Sequence, residues 1–266
     1  MARGAWPRRG VRTSLPVAVV RRKVAEDFSP TQISGLKLWL DAANTSSLTL
    51  NGSTVSQMND LSGNGFHATQ GTANNQPTYQ ATGFNSRPTL SFDSTDSITS
   101  SATIADYFLT PTASPTFYVF MAAYSPSAAT SGSIVFGSDS QANGRVLFAN
   151  NFGFQSGNML FDVVNASGGR LSQSTTEITA TPHVVCAYRA GASMGFRVDG
   201  VVLASKSNAS GNFTSTSAKL QIGKCDAASL NNMYMSECAV YAAALSASQI
   251  ATIERGLGKK WGVVVA

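Results

Sequence analysis

Gly195-Phe196-Arg197-Val198-Asp199-Gly200-Val201-Val202-Leu203-Ala204-Ser205 reads as a β-hairpin. Two short apolar-rich runs flank an Asp-Gly pair, the two-residue loop that supplies the positive φ of a type I′ turn. Working outward, the same grammar recurs. Strand-like runs stand at Thr89–Phe92, Thr116–Ala123, Ser133–Phe136, Arg145–Phe148, Met159–Val164, His183–Tyr188, Lys219–Ile222 and Tyr234–Tyr241, separated by Gly, Asn, Ser and Pro. Leu36-Lys37-Leu38-Trp39-Leu40-Asp41 alternates as a half-buried strand does. Many short strands with turn signals and no helical period mean a sandwich or a barrel.

Helix signals stand only at the two ends of this array. Ser29-Pro30-Thr31-Gln32 is a capping-box pattern with Pro at the first helical position, and it predicts one short helical turn that Gly35 stops. Ser246 and Gln249 form a second capping box. Ile250, Ile253 and Leu257 then fall on one helical face. Gly256 and Gly258 are the expected stop signals, and Arg255, Lys259 and Lys260 suit the C-terminal end of the dipole. Trp261–Val265 is expected to form a short terminal strand.

The 266 residues carry a net charge of +5, unevenly distributed. Arg3, Arg8, Arg9, Arg12, Arg21, Arg22 and Lys23 stand in an acid-free stretch, seven of the 19 basic residues. What remains is slightly acidic. Pro7, Gly10 and Pro16 oppose a helix there, so residues 1–25 read as an extended basic arm ahead of a near-neutral body at 26–266. Such an arm points to an acidic partner, with a solvated tail as the plainer alternative. Docking on a protein surface by strand addition and ion pairs is the favoured reading. Nucleic acid is the weaker one, because Trp6 alone interleaves an aromatic. No apolar run approaches the roughly 18 residues of a membrane span, and Leu15–Val20 is too short and too interrupted for a signal peptide.

Cys186, Cys225 and Cys238 form no C-x-x-C pair and read as buried thiols. His67 and His183 are too few for a Cys/His zinc site and lack a nucleophile elbow beside them. Glu237 is alone on its strand and reads as a structural acceptor at a sheet edge, which leaves glycosidase chemistry without its second carboxylate. Phe84, Tyr107, Phe152 and Phe154 lie near loops where a sugar-facing aromatic belongs, although core packing suits most of them as well.

Several segments together resemble the concanavalin A-like lectin/glucanase superfamily, in particular the laminin-G-like domains found in bacteriophage virion proteins. They are Ile33–Ala42, Asn59–Thr69, Arg87–Asp93, Leu220–Gly223, Glu237–Tyr241 leading to Leu245-Ser246, and Gly258–Gly262. Two departures stand out. Met58 occupies a place where such domains carry Trp, and Ser94 follows Phe92-Asp93 where they often carry Gly.

The resemblance implies an all-β jelly-roll sandwich of two antiparallel sheets with one short C-terminal helix. It also implies a non-enzymatic virion protein, either a head decoration (cement) protein anchored by its arm to the major capsid or a tail protein. A lectin-like module for glycan adsorption is the alternative, and self-association is admitted. Calcium is the one ion implied, on Asp60, Asn64 and Asp93; the competing reading of Asp60–Gly65 is a tight turn that uses Asn and Gly for left-handed backbone.

Overall fold

The computed structural model describes Met1 and residues 27–108, 115–126, 133–138, 146–150, 158–163, 169–174, 178, 180–210, 217–224 and 232–266. The arm residues Arg3, Arg8, Arg9, Arg12, Arg21, Arg22 and Lys23, together with Phe152, Phe154 and Cys225, lie outside these residues.

In chain order the strands begin with β1 (Leu36–Asp41), β2 (Leu48–Asn51), β3 (Thr54–Met58), β4 (Ala68–Thr69), β5 (Thr78–Phe84) and β6 (Arg87–Phe92). Then come β7 (Ile98–Thr103), β8 (Thr116–Tyr124), β9 (Ser133–Ser138), β10 (Val146–Asn150), β11 (Asn158–Val163) and β12 (Arg170–Ser174). The last are β13 (His183–Ala190), β14 (Ser193–Val198), β15 (Val201–Lys206), β16 (Lys219–Ile222) and β17 (Met233–Tyr241). A one-turn helix α1 (Ile104–Phe108) follows β7, and α2 (Ala247–Trp261) closes the fold. Pro30–Gln32 forms the expected short turn, of 3₁₀ type.

Every pairing among the described residues is antiparallel. One layer runs β15-β14-β13-β8-β17, and β17 is flanked on its other side by β6 near its start and by β1 near its end. The other runs β2-β3-β4-β7-β16-β9-β10-β11-β12. The all-β jelly-roll expectation holds.

Central strand β8 shows why three layers form. Residues Phe117, Val119, Met121 and Ala123 join the core between the sheets. Tyr118, Phe120 and Ala122 point the opposite way and join a second apolar cluster under α2. A strand apolar on both faces cannot leave either in water, so the period of two demands a cover on each side. Ile253, Leu257 and Trp261 supply the second cover.

Three sequence expectations need correction. Gly256 and Gly258 do not stop α2, which runs through both to Trp261 and ends on left-handed Gly262, at φ 71°. Both glycines serve close approach instead. A Cβ on Gly256 would stand 2.2 Å from the Phe28 ring, and one on Gly258 would stand 2.5 Å from the Val265 side chain. Residues 263–266 accordingly form no strand but fold back, with Val263 N–H on the Gly258 carbonyl and Ala266 N–H on the Asp199 carbonyl. Finally, β17 is no sheet edge, since it lies between β8 and β1.

Candidate functional site

A bulge decides where Glu237 points. The register of β17 slips between Met235 and Glu237. Met235 and Cys238 both face the inner core, so the extra residue turns Glu237 outward, toward α2. Bulges re-aim side chains in this way. Trp39 and Asp41 leave β1 on the same outer face, and Asp41 is the cross-strand partner of Glu237. The last turn of α2 brings Lys260 and Trp261.

The result is a buried polar cluster. Glu237, 0% exposed, accepts the indole N–H of Trp39 at 2.7 Å and of Trp261 at 2.6 Å, one on each oxygen. Lys260 Nζ lies 2.6 Å from Glu237 Oε2 and 2.7 Å from Asp41 Oδ2. The ammonium also stands 5.0 Å from the Trp261 ring centroid and 5.9 Å from that of Trp39. Burial pushes the Glu237 carboxyl above the ordinary carboxylate range; Asp41 adds to the push, and Lys260 and Trp261 oppose it.

Beside this cluster opens a pocket of about 430 Å³, lined by Asp27, Phe28, Trp39, Asp41, Arg87, Gly256, Lys259 and Lys260. Trp39 and Phe28 are half-buried there. Lys259 pairs with Asp27 at 2.7 Å on the rim. Arg87 arrives from the β5–β6 hairpin, whose two turn residues, Asn85 and Ser86, both hold positive φ (48° and 60°). Asn85 Nδ2 donates to the carbonyls of Trp261 and Gly262, each at 3.1 Å, which ties the hairpin tip to the end of α2.

Sequence reading found Glu237 without a second carboxylate, and the structure supplies one in Asp41. The pair is arranged differently from the carboxylates of a glycosidase. Such carboxylates flank a scissile bond, whereas here a lysine ammonium sits between them and Glu237 is sealed beneath two indoles. Sequence reasoning missed the cluster because its members stand far apart in the chain, Asp41 and Lys260 by 219 residues. The one available signal was that Trp39, Asp41, Glu237, Lys260 and Trp261 all fall inside the resembling segments.

A hydroxyl–imidazole–carboxylate chain also went unforeseen. Thr181 Oγ1 lies 3.1 Å from His183 Nε2, and His183 Nδ1 lies 2.7 Å from Asp199 Oδ2. Asp199 Oδ1 accepts Val184 N–H at 2.8 Å, so the chain fastens the start of β13 to the β14–β15 turn. None of the three lines the pocket described above.

The residues expected to hold calcium are engaged otherwise. Asp60 Oδ1 accepts the N–H of Trp39 and of Ser62, each at 2.9 Å. Its Oδ2 accepts the Ser62 hydroxyl at 2.7 Å and the Phe66 N–H at 3.0 Å. Four donors occupy the four lone-pair sites of one carboxylate. Asn64 presents its N–H group to the Leu36 and Lys37 carbonyls. Asp93 bonds within its own turn, to Thr95. A calcium ion needs six to eight free oxygens, and these side chains do not fit that demand. Tyr107 and Phe84 are wholly buried and present no face to a ligand. Cys186 and Cys238 are buried free thiols, each pushed up by burial.

A family model described as the concanavalin A-like lectin/glucanases superfamily, of laminin G type, matches residues 92–251. That is more than half of the chain. The chain belongs to the concanavalin A-like lectin/glucanases superfamily. No match was found among curated proteins. Among solved structures it is similar to the binding domain of Paraclostridial Mosquitocidal Protein 1, with a TM-score of 0.61 and 12% identity over 88% of this chain and 56% of that one. It is similar as well to domain 4 of AbnA, an extracellular arabinanase from Geobacillus stearothermophilus in complex with arabinotriose, with a TM-score of 0.57 and 16% identity over 82% and 97% of the two chains. The botulinum neurotoxin serotype D binding domain gives 0.58 and 13% over 84% and 52%. The chain spans from about a third to about a half of the first structures it matches. At these identities the likeness is one of fold.

Proposed function

We propose that this protein is a non-catalytic recognition module that binds a glycan in the pocket beside Trp39. The pocket carries the reading: it joins half-buried aromatic surface to fixed charged groups, on elements locked by the Glu237–Lys260 cluster. The fold supports it too, since similar domains are named as toxin binding domains or hold arabinotriose. The lysine between Asp41 and Glu237 supports the non-catalytic part. A glycan array probed with the full chain, with and without calcium, tests it. Hits are expected in both conditions. An empty array overturns the reading.

A second reading rests on the basic arm. Seven cations without an acid suit a tether to an acidic protein shell, and this favours a virion-surface protein, such as a head decoration protein, that displays the sandwich outward. Deleting residues 1–24 should abolish binding to particles that lack the protein. Undiminished binding of the truncated chain sinks the tether.

A further inference from the structure

We infer that the pocket selects acidic saccharides, with Arg87 as the residue that reads the carboxylate. This rests on the glycan-binding reading and narrows it. Among the described residues, the charges lining the pocket are matched except one. Lys259 is paired with Asp27, and Lys260 with Asp41 and Glu237. Arg87 is exposed, and its guanidinium has no ion-pair or hydrogen-bond partner among the described residues.

Its backbone, however, is anything but loose. Asn85 and Ser86 hold the two positive-φ positions of a tight hairpin turn, which suits Asn85 and costs Ser86 about 1 kcal/mol. Two amide hydrogen bonds to the end of α2 keep the hairpin tip in place. Backbone held in such a state, with a free guanidinium at the rim of a pocket, is preorganised for a ligand.

The fork of a guanidinium matches a carboxylate through two parallel hydrogen bonds. The half-buried Trp39 and Phe28 rings offer apolar surface to the C–H face of a sugar, and the rim carboxylate of Asp27 accepts from hydroxyls. An inorganic anion would use the fork alone. A sugar that carries a carboxylate, such as a hexuronic acid residue in an acidic polysaccharide, uses all three.

The test is calorimetric titration of the full chain with trigalacturonic acid, with its neutral counterpart galactotriose and with sodium sulfate, repeated on Arg87→Met and Arg87→Lys. The acidic trimer should bind about tenfold tighter than the neutral one. Arg87→Met should erase that difference, and Arg87→Lys should keep only part of it. Affinity for the acid should fall as salt is raised. Arg87 is exposed, so the variants should keep the wild-type circular dichroism and melting temperature. Equal binding of acidic and neutral trimers, unaltered in Arg87→Met, overturns the inference while leaving a glycan-binding module. Sulfate that displaces the acid as effectively as more acid does marks a plain anion site and also overturns it. Silence toward both sugars removes the pocket reading and the inference together.

Discussion

The two faces of the central sheet solve burial differently. Between the sheets, Phe117, Phe148, Phe161 and Phe196 pack with Leu38, Leu40 and Met121 in a continuous apolar core. At its rim, the buried Arg189 donates to the carbonyls of Ala209 and Gly191. Under α2 charged groups are sealed inside the apolar cover. Glu237 lies between two indoles, and Glu254 receives a bidentate bond from Arg197 at 2.6 and 2.9 Å. The inner face tolerates any well-packed apolar set and so determines the fold. The outer face depends on individual partners, and so determines where α2, the β5–β6 hairpin and the pocket sit.

The comparison breaks most visibly in the inner core. Phe117 is wholly buried and meets Phe161 edge-on at 6.2 Å. Phe117→Ala should cost about 3–5 kcal/mol in a denaturant melt. A cost below about 1 kcal/mol would mean that the core collapses onto the gap and is less tightly packed than described.

On the outer face the sensitive group is a charge. Lys260→Met removes the ammonium that holds two buried carboxylates, and breaking a buried pair costs about 3–5 kcal/mol. Lys260 is itself 30% exposed, so the expected loss is about 2 kcal/mol, less than for Phe117. Adding Glu237→Gln should return part of it, because the orphaned charge goes with it. A double-mutant cycle measures this coupling, and strict additivity of the two changes would show that the ion pair holds nothing.

Gly256→Ala weighs propensity against packing. In a helix interior Ala gains about 1 kcal/mol over Gly. Here its Cβ would meet Phe28 Cβ at 2.7 Å as well as the ring, so the whole side chain must leave. A net loss of about 1 kcal/mol is expected, together with faster proteolysis near residue 28. A gain in stability would show that Phe28 is not seated on α2.

How much of this could be read from sequence follows the same division. The inner face announces itself by local period: Thr116–Ala123 and Val184–Ala187 alternate or run apolar, and Asp199-Gly200 forms its hairpin with φ of 49° and 84°. The helix was legible from Ser246 and Gln249, which do cap it. Its end was not, because Gly256 and Gly258 answer to Phe28 and Val265 rather than to local propensity. Strands β5 and β12 are mostly polar and borrow their order from neighbours, while β2 alternates Leu48-Thr49-Leu50-Asn51 over only four residues, too short a run to stand out. The site was least legible. Glu237 reaches the pocket side only through a bulge, and its partner Asp41 lies across a strand pair no local window can see.

The smallest effect concerns the same carboxyl. Burial raises the Glu237 pKa above its ordinary value of 4.5. A raised carboxyl binds its proton more tightly in the folded state than in the unfolded one. Its contribution to stability is therefore fully present below about pH 4.5 and is lost as pH rises through the folded value. This is opposite in sign to Asp106, whose carboxyl is held below its ordinary value by the backbone N–H and hydroxyl of Thr103 and which loses stability as pH falls. Carbon-detected titration of the two side-chain carboxyls should place Glu237 above 4.5 and Asp106 below 3.8. A Glu237 midpoint below 4.5 would mean that Lys260 and the two indole donors outweigh desolvation, making the outer cluster a net attraction for charge rather than a charge tolerated for the sake of position.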